Sequence, residues 1–216
     1  LFQCRVCGAV SPNIELNNEK AHKESIYDVE AYREKFMRET HRQFDYRRYT
    51  FGKERYQYTV KRLNLSKDAR VLDLGCGAGY FISVLSKKGI DYKGLEVTSH
   101  LVDYCQTYHQ LNVEDTSLED EPENHYDLVT MFDVLEHLVN PIETFKTVSA
   151  KLKPGGYCVA YTPNVHSIGY ELMGAKQNTL LPFEHLCFFE KESINYLARK
   201  SGFVVEKIEY YGLDLI

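Results

Sequence analysis

The sequence predicts an α/β fold: a doubly wound, mostly parallel sheet with helices on both faces and a helical cap at its N-terminal end. From residue 70 onward, short apolar strands alternate with helical patterns, which is typical of parallel strands joined by right-handed crossover helices. Glycine or proline marks the ends of several of these elements. A glycine-rich turn at 75–79 directly follows the first apolar strand, as at ligand-binding edges of such sheets.

Local signals bound each element of this alternating region. The helix after the glycine turn is predicted to end at Gly89, because glycine readily adopts the left-handed conformation that ends many helices. Asn140 and Pro141 begin a later helix, as a cap and a proline at the first helical position. In chain order we expect strands at 70–74, 92–97, 112–114, 126–132, 155–162 and 203–211, helices at 80–89, 99–110, 141–152 and 190–201, and a loop at 163–189.

The region before residue 70 has a different texture. Residues 1–20 are rich in turns and carry Cys4 and Cys7, and helical patterns follow at about 28–42 and 52–63. The sequence therefore divides into three segments. They are a zinc-ribbon-like remnant at 1–20, a helical cap at 21–64 and the alternating α/β domain at 65–216.

Composition limits the classes of partner. The 216 residues carry a formal net charge of −5, and an acidic total argues against broad binding to a nucleic-acid backbone. Nine Lys and Arg against three acids at 35–62 leave room for an anionic small substrate or a short nucleic-acid contact. No apolar run approaches the roughly 20 residues that span a bilayer, so no membrane partner is expected. Six scattered cysteines favour a reducing, cytoplasmic location.

In the stretch VLDLGCGAGYF an acid, Asp73, precedes a turn whose glycines are Gly75, Gly77 and Gly79. The phosphate-loop pattern is absent, and the third glycine comes one position earlier than in the dinucleotide fingerprint. A carboxylate beside the turn would repel pyrophosphate but attract an ammonium group. Glu96 ends the next strand, where a carboxylate can accept both hydroxyls of a ribose. A ligand with a ribose, a cationic amino acid end and no phosphate is implied, and S-adenosylmethionine fits.

These motifs, followed in order by YDLVTMFDVLEHLVNP and LKPGGYCVAYTPN, resemble class I S-adenosylmethionine-dependent methyltransferases over about 50–212. The expected fold is then a Rossmann-like sheet of seven strands, with 65–216 as the cofactor-binding methyltransferase domain. The DVLEH block and PFEHLCFFEKESINYLARKSGF are similar to two groups within this superfamily. One is the ubiquinone-biosynthesis O-methyltransferases, and the other is a broad set of bacterial methyltransferases that act on sugars or surface-polysaccharide precursors.

The resemblance also implies roles for individual residues. The glycine turn would line the cofactor, Glu96 would hold the ribose, and Asp73 would bind the methionine amino group directly or through water. Arg55 matches an arginine that binds the cofactor carboxylate in the quinol enzymes, or it is a solvated helix charge. Further cofactor contacts are expected from Ser117 and Leu118 at the adenine and from Phe132 and Asp133 at the methionine part.

His137 and His185 are the candidate catalytic bases, because histidine takes up protons near neutral pH. The alternative for each is a histidine that fixes its loop by hydrogen bonds. The quinol enzymes carry Glu-x-x-Glu-His where this chain has Asp133, Glu136 and His137, and some of them use a divalent metal there. Oxygen ligands plus one histidine could bind a magnesium-like ion, which requires octahedral geometry.

The expected function is methyl transfer to a small-molecule acceptor, with a hydroxyl of a sugar-containing metabolite ahead of a quinol or phenol. Motifs of amino-group methylases and of cytosine carbon-5 methylases are absent. Aromatic and cationic residues interleave at 41–58, which could stack bases, so an RNA methylase is an alternative. A cofactor-binding module without turnover is another.

The N-terminal Cys4-x-x-Cys7-Gly8 is the knuckle that presents two thiolates to zinc. A closed structural site needs four ligands, and the next cysteine, Cys76, lies in the glycine turn. The bacterial methyltransferases resembled above often begin with two such knuckles, so the missing pair is expected upstream of Leu1. We then expect stoichiometric zinc in the full-length protein and little in this chain alone. The alternative is a turn with two incidental cysteines.

Overall fold

The computed structural model describes residues 2–11, 30–174 and 185–210, without the side chains of 30–32. At the N-terminal end, two short antiparallel strands form a hairpin around Cys4 and Cys7. These strands are β1 (Phe2–Gln3) and β2 (Val10–Ser11).

A parallel five-stranded sheet organises the rest of the described chain. Its strands are β3 (Arg70–Leu74), β4 (Asp91–Leu95), β5 (Val113–Glu114), β6 (Tyr126–Phe132) and β7 (Leu152–Tyr161). The spatial order β5-β4-β3-β6-β7 shows that the chain builds outward from β3 and then returns to the other side of β3. In doubly wound sheets, ligands bind beyond the carboxyl ends of the strands where this order reverses, which is here between β3 and β6.

The predicted α/β class with a doubly wound parallel sheet is confirmed, but the number of strands differs. The described part of the chain contains five strands in this sheet rather than seven. Residues 203–210, predicted to form the last strand, have no regular secondary structure. Val204 in this segment is 88% exposed, so its β-favouring side chain gains no burial that would reward strand pairing.

Before the sheet, one continuous helical run replaces the two predicted helices at 28–42 and 52–63. After the first strand of the sheet, the described residues contain one α-helix more than predicted. The helices are α1 (Glu30–Arg47), α2 (Lys53–Tyr56), α3 (Tyr80–Lys88), α4 (Ser99–His109), α5 (Pro141–Lys151), α6 (Ile168–Met173) and α7 (Lys191–Lys200). Wide π-helical turns at Arg48–Gly52 and Gln57–Lys61 extend the run from α1 without a break. Gly52 has helical φ and ψ of −62° and −46°, so the helical run continues through it. Its missing side chain lets the backbone lie against the carbonyl oxygen of Tyr80. Short α6 lies inside the predicted loop.

The chain divides into two compact units. The sheet unit comprises Glu24–Phe132 and Ala150–Val159, and the loop unit comprises Leu1–Lys23, Asp133–Ser149 and Ala160–Ile216. In the sheet unit, apolar side chains of the strands and of α3 and α4 form the core. No helix among the described residues is long and apolar enough to cross a membrane.

Gly79 is the glycine of the turn whose replacement should disturb the core most directly. Its φ is +78°, and an added Cβ would lie 2.6 Å from Leu111 Cδ1 and 3.1 Å from Cys105 Sγ. Gly79→Ala should therefore lower the free energy of unfolding by both backbone strain and overpacking. Gly89→Ala is the matched control, because Gly89 has φ +66° with open space around its Cβ position. We expect Gly79→Ala to be at least about 1 kcal/mol more destabilising in urea unfolding than the control. Equal losses would contradict the packing role.

Candidate active site

The glycine turn in the sheet unit is held by the strand beside it. The amides of Gly75 and Cys76 both donate to the Leu95 carbonyl oxygen, at 2.8 and 3.0 Å. Gly77 has φ +56° and nothing within 4 Å of its ideal Cβ position. The turn therefore offers an open backbone surface that a ligand can approach closely.

Glu96 is fixed against this turn by its two carboxylate oxygens. Oε2 accepts a hydrogen bond from the Gly77 amide at 2.8 Å, and Oε1 accepts one from the Thr98 amide at 2.9 Å. The residue is 7% exposed. Because each carboxylate oxygen can accept a second hydrogen bond, the side chain keeps capacity for the two hydroxyls of a ribose. The sequence-based role of Glu96 is compatible with this geometry and stays a prediction.

Asp73 is a second buried acid, 2% exposed, and lies at the end of β3. The Thr130 hydroxyl donates to its Oδ1 at 2.6 Å. Burial raises the pKa of Asp73 to about 7, while Thr130 and the Arg55 guanidinium act in the opposite direction. A cationic ligand group would favour the ionised form. Thr130 was missed from the sequence, although a hydroxyl within the apolar strand YDLVTMF is a visible signal.

The predicted cofactor residues Arg55 and Phe132 contact each other in the sheet unit. The Cζ atom of Arg55 lies 4.4 Å from the centroid of the Phe132 ring, and Phe81 packs edge-on against that ring at 5.4 Å. The Arg55 charge also acts on Asp73. An interacting cation and anion suit a zwitterionic α-amino acid, with its carboxylate toward Arg55 and its ammonium toward Asp73.

The two residues predicted to contact the adenine, Ser117 and Leu118, have local contacts that do not indicate a ligand. Leu118 is buried, and the Ser117 hydroxyl is bonded to the amide and carboxylate of Glu119 within a short 3₁₀ turn. Val97, which directly follows Glu96, is 86% exposed.

The loop unit brings together the two histidines predicted as bases. The ring centroids of His137 and His185, which are far apart in sequence, lie 4.8 Å apart in an edge-to-face arrangement. Glu136 joins them: one ligand atom from each of the three residues lies within 4.8 Å of the others. We call Glu136, His137 and His185 the Glu-His-His cluster.

Backbone hydrogen bonds explain why these distant residues meet. The amides of Leu186 and Cys187 both donate to the Glu136 carbonyl oxygen, at 2.7 and 3.1 Å. The Glu136 side chain is 1% exposed and accepts a hydrogen bond from the Thr162 hydroxyl at 2.9 Å. Burial raises the pKa of Glu136 to about 7, and the negative charge of Asp133 adds to the increase.

Asp133 itself does not join the cluster. It has a φ of +58°, a conformation that is uncommon for a residue other than glycine. Its amide donates to the Tyr161 carbonyl oxygen at 3.0 Å, which holds the chain in this conformation as it leaves β6. Backbone strain of this kind is common at functional sites. Its role at the methionine part of the cofactor stays a prediction.

The Glu-His-His cluster can do two kinds of chemistry. An imidazole can take up a proton from an acceptor hydroxyl, and the Glu136 carboxyl adjoins both rings. One carboxylate and two imidazoles also match the donor set of first-row transition metals better than that of magnesium, which prefers oxygen ligands. Among the described residues, the group that could hold an ion contains His185 rather than Asp133.

The raised pKa of Glu136 predicts how stability depends on pH. Between pH 4.5 and about 7 the folded protein retains a proton on this group that the unfolded chain has lost, so the free energy of unfolding falls as pH rises. Glu136→Gln should remove this component, which amounts to roughly 1.4 kcal/mol per pH unit at most. Urea unfolding at pH 5, 6, 7 and 8 measures it, with the exposed Glu143→Gln as control. Parallel pH profiles for wild type and Glu136→Gln would refute the assignment.

The N-terminal hairpin has the backbone geometry of a thiolate-presenting knuckle. The backbone amides of Val6 and Cys7 donate hydrogen bonds to the Cys4 sulfur. Both bonds lower the pKa of that thiol, and the bond from Val6 has the larger effect. The Gly8 amide donates to the Cys4 carbonyl oxygen at 2.9 Å, and Gly8 has φ +80°. Zinc binding by Cys4 and Cys7 stays a prediction.

The fold defines an α/β domain with an acid-flanked glycine turn after its first parallel strand, and comparison with known proteins identifies the class. The methyltransferase-domain family matches residues 38–208, which is well over half of the chain. The chain therefore belongs to this family. By family and fold it is a class I S-adenosylmethionine-dependent methyltransferase.

Curated relatives and solved structures agree with this assignment. The chain is 28% identical over 131 residues to the ubiquinone biosynthesis O-methyltransferase of Coxiella burnetii (strain RSA 493 / Nine Mile phase I), covering 56% of each chain. It is 26% identical over 152 residues to that of Nitrosospira multiformis, covering 64% of each. The chain thus spans about three fifths of these relatives.

The solved structures are similar in fold. A SAM-dependent methyltransferase from Archaeoglobus fulgidus matches with a TM-score of 0.59 and 24% identity, over 74% of this chain and 72% of that one. An S-adenosylmethionine-dependent methyltransferase from Mesorhizobium loti matches with a TM-score of 0.57 and 21% identity, over 71% and 83%.

Proposed function

We propose that this protein transfers the methyl group of S-adenosylmethionine to a hydroxyl group of a small molecule. The observation that carries the proposal is the convergence of His137, His185 and Glu136 in a chain of the methyltransferase family. A hydroxyl must lose a proton when it accepts a methyl group, and an imidazole beside the acceptor can take up that proton.

The cofactor would be held by the residues around the glycine turn. Glu96 accepts the ribose hydroxyls, Arg55 pairs with the cofactor carboxylate, and Asp73 in its ionised form pairs with the ammonium group. The bound cofactor supplies a methyl group that its sulfonium already activates. The protein then has to orient the acceptor for in-line transfer and exclude water, and correct orientation can account for several kcal/mol of the barrier.

Within the cluster, His137 is the better candidate for the proton acceptor. Its side chain is half-buried and keeps some exposed surface, whereas His185 is 8% exposed. His185 packs edge-on against both His137 and Phe188, and it would set the orientation of the His137 ring. Glu136, held by Thr162, provides the adjoining carboxyl. The order of the chain supports His137 as the proton acceptor. Glu136 and His137 come four and five residues after β6. β6 lies beside the point where the strand order reverses, and ligands bind beyond the carboxyl ends of the strands there.

Two classes of hydroxyl acceptor fit this chemistry. The sequence motifs favour a hydroxyl of a sugar-containing metabolite. The curated relatives are ubiquinone biosynthesis O-methyltransferases, and this observation favours a quinol or phenol as the second candidate. A phenol is the more acidic group, so its methylation depends less on a base, and the loss of His137 should affect it less.

A transfer assay with methyl-labelled S-adenosylmethionine tests the proposal. The purified chain is incubated with separate panels of nucleotide sugars, of catechols and quinols, and of RNA, and labelled products are identified by mass spectrometry. A methyl ether on a sugar or phenol supports the proposal and selects the acceptor class. Cofactor binding without any labelled product would indicate a binding module, and labelled RNA would indicate the alternative methylase; either would overturn the proposal.

A further inference from the structure

Thr130 and Asp73 are opposite each other on two neighbouring strands of the sheet. The parallel register pairs Asp73 of β3 with Thr130 of β6, and the Thr130 hydroxyl donates to Asp73 Oδ1 at 2.6 Å. The Leu72 carbonyl oxygen lies 3.3 Å from the same hydroxyl and is the weaker acceptor. Both side chains are buried, and a bond this short is typical of a hydroxyl that donates to an ionised carboxylate. The bond therefore favours the anionic form of Asp73 and fixes the orientation of its carboxylate.

The strand on the other side of β3 offers Asp73 no side chain. The register pairs Asp73 with Gly94 of β4. A side chain would not fit at this glycine, because an added Cβ would lie 2.7 Å from Cys76 Sγ. Of the two residues paired with Asp73, only Thr130 can therefore donate from its side chain. A carboxylate has two acceptor oxygens, so the bond from Thr130 to Oδ1 leaves Oδ2 for a ligand.

The cation of this region lies near the same pair. Side chains two residues apart on a strand share a face, so Phe132 lies on the same face of β6 as Thr130. The Cζ atom of Arg55 is 4.4 Å from the centroid of the Phe132 ring. This geometry explains why the Arg55 charge acts on Asp73.

The ionisation of Asp73 is balanced between opposing effects. Burial opposes it most strongly, and the hydrogen bond from Thr130 is the largest effect in its favour, ahead of the charge of Arg55. The charged and titratable groups that act on Asp73 are Arg55, Glu96, Cys76 and Cys105. Because the pKa of Asp73 is about 7, a change in the bond from Thr130 would change the ionised fraction at neutral pH.

We propose that Thr130 is a positioning residue for the cofactor: its hydroxyl orients Asp73 and keeps it anionic, so that Oδ2 binds the ammonium group of the methionine part. This inference rests on the proposed function, in which Asp73 pairs with that ammonium group. Loss of the hydroxyl should spare the contacts to adenine and ribose. It should weaken the recognition of the amino acid, and most strongly at low pH.

Isothermal titration calorimetry with S-adenosylhomocysteine, the demethylated cofactor, tests the proposal without any methyl acceptor. In wild type the affinity should decrease as the pH is lowered from 8.5 to 5.5, because Asp73 takes up a proton. Thr130→Val keeps the shape of the side chain but removes the donor. It should move this decrease upward by about one pH unit, so that binding is about fivefold weaker at pH 7 and nearly unchanged at pH 8.5. Thr130→Ser retains a hydroxyl and should restore the wild-type profile.

The matched control is a ligand, 5′-methylthioadenosine, which keeps the adenine and ribose but lacks the amino acid. It should bind wild type and Thr130→Val equally at every pH, which also shows that the variant is folded. Thr130→Cys has a weaker donor and should shift the profile in the same direction, so it replaces the valine variant if that does not fold. Equal weakening of both ligands at every pH, or a wild-type profile in Thr130→Val, would overturn the proposal.

Asp73→Asn distinguishes this inference from the proposed function. The decrease at low pH should be absent in Asp73→Asn. If the decrease persists there, the role of Asp73 in the proposed function is wrong, and the role of Thr130 is overturned with it. If it is lost in Asp73→Asn but not shifted in Thr130→Val, only the role of Thr130 is overturned.

Discussion

His137→Ala should lower the turnover of methyl transfer by about 10²-fold or more while leaving the affinity for S-adenosylmethionine near that of wild type. The expected size is that of a lost general base. His185→Ala should act in the same direction through the ring contact of 4.8 Å. At least one of the two variants has to show the full effect. Glu96, Asp73 and Arg55 lie in the sheet unit, and neither histidine is a predicted cofactor residue, so calorimetric binding of the cofactor should not change.

Single-turnover rates with labelled cofactor measure this effect, and His125→Ala serves as a control for loss of a histidine that precedes β6. If the two histidines act as a unit, the double variant should be no slower than the slower single variant. The wild-type rate should decrease as the pH is lowered and His137 becomes protonated. This decrease at low pH should be absent in His137→Ala. Full activity of both single variants on a true acceptor would show that catalysis rests on alignment alone.

Glu96→Gln should weaken the binding of S-adenosylmethionine and of its demethylated product by roughly 1.5–3 kcal/mol, because hydrogen bonds from the ribose to a charged acceptor are lost. This range corresponds to about ten- to 150-fold in affinity. Isothermal titration calorimetry measures it directly. The exposed Glu123→Gln is the matched control, since it removes the same charge from the sheet unit.

The structure requires one further control for this variant. Glu96 also accepts hydrogen bonds from the amides of Gly77 and Thr98, so glutamine could loosen the turn itself. A 2′-deoxy analogue of the demethylated cofactor separates the two effects: if the ribose contact is lost, the substitution should penalise this analogue less than the parent molecule. Unchanged affinity in Glu96→Gln would show that the acid at the end of β4 does not bind the ribose.

Much of the sheet and of the cofactor side could be predicted because the signals are local. The glycine turn, the acids at the ends of β3 and β4, and the boundaries of α3, α4 and α5 each depend on neighbours within a few residues. Turn chemistry, capping and hydrophobic periodicity act over that distance. The predicted strand at 203–211 shows the limit of such signals, because β-favouring side chains form a strand only where a partner and burial are available.

The sequence by itself therefore determined that this chain is a doubly wound α/β protein with an acid-flanked glycine turn, and it identified His137 and His185 separately as candidates. Only the tertiary structure decided that the two histidines meet at Glu136, and that β2 pairs with residues 186–188. Thr130 beneath Asp73 and Thr162 beside Glu136 were likewise assigned by the fold. The physical reason is that these contacts join residues 26 to 178 positions apart. Such contacts form only when apolar burial and hydrogen bonding between distant segments together offset the entropy of closing the intervening chain.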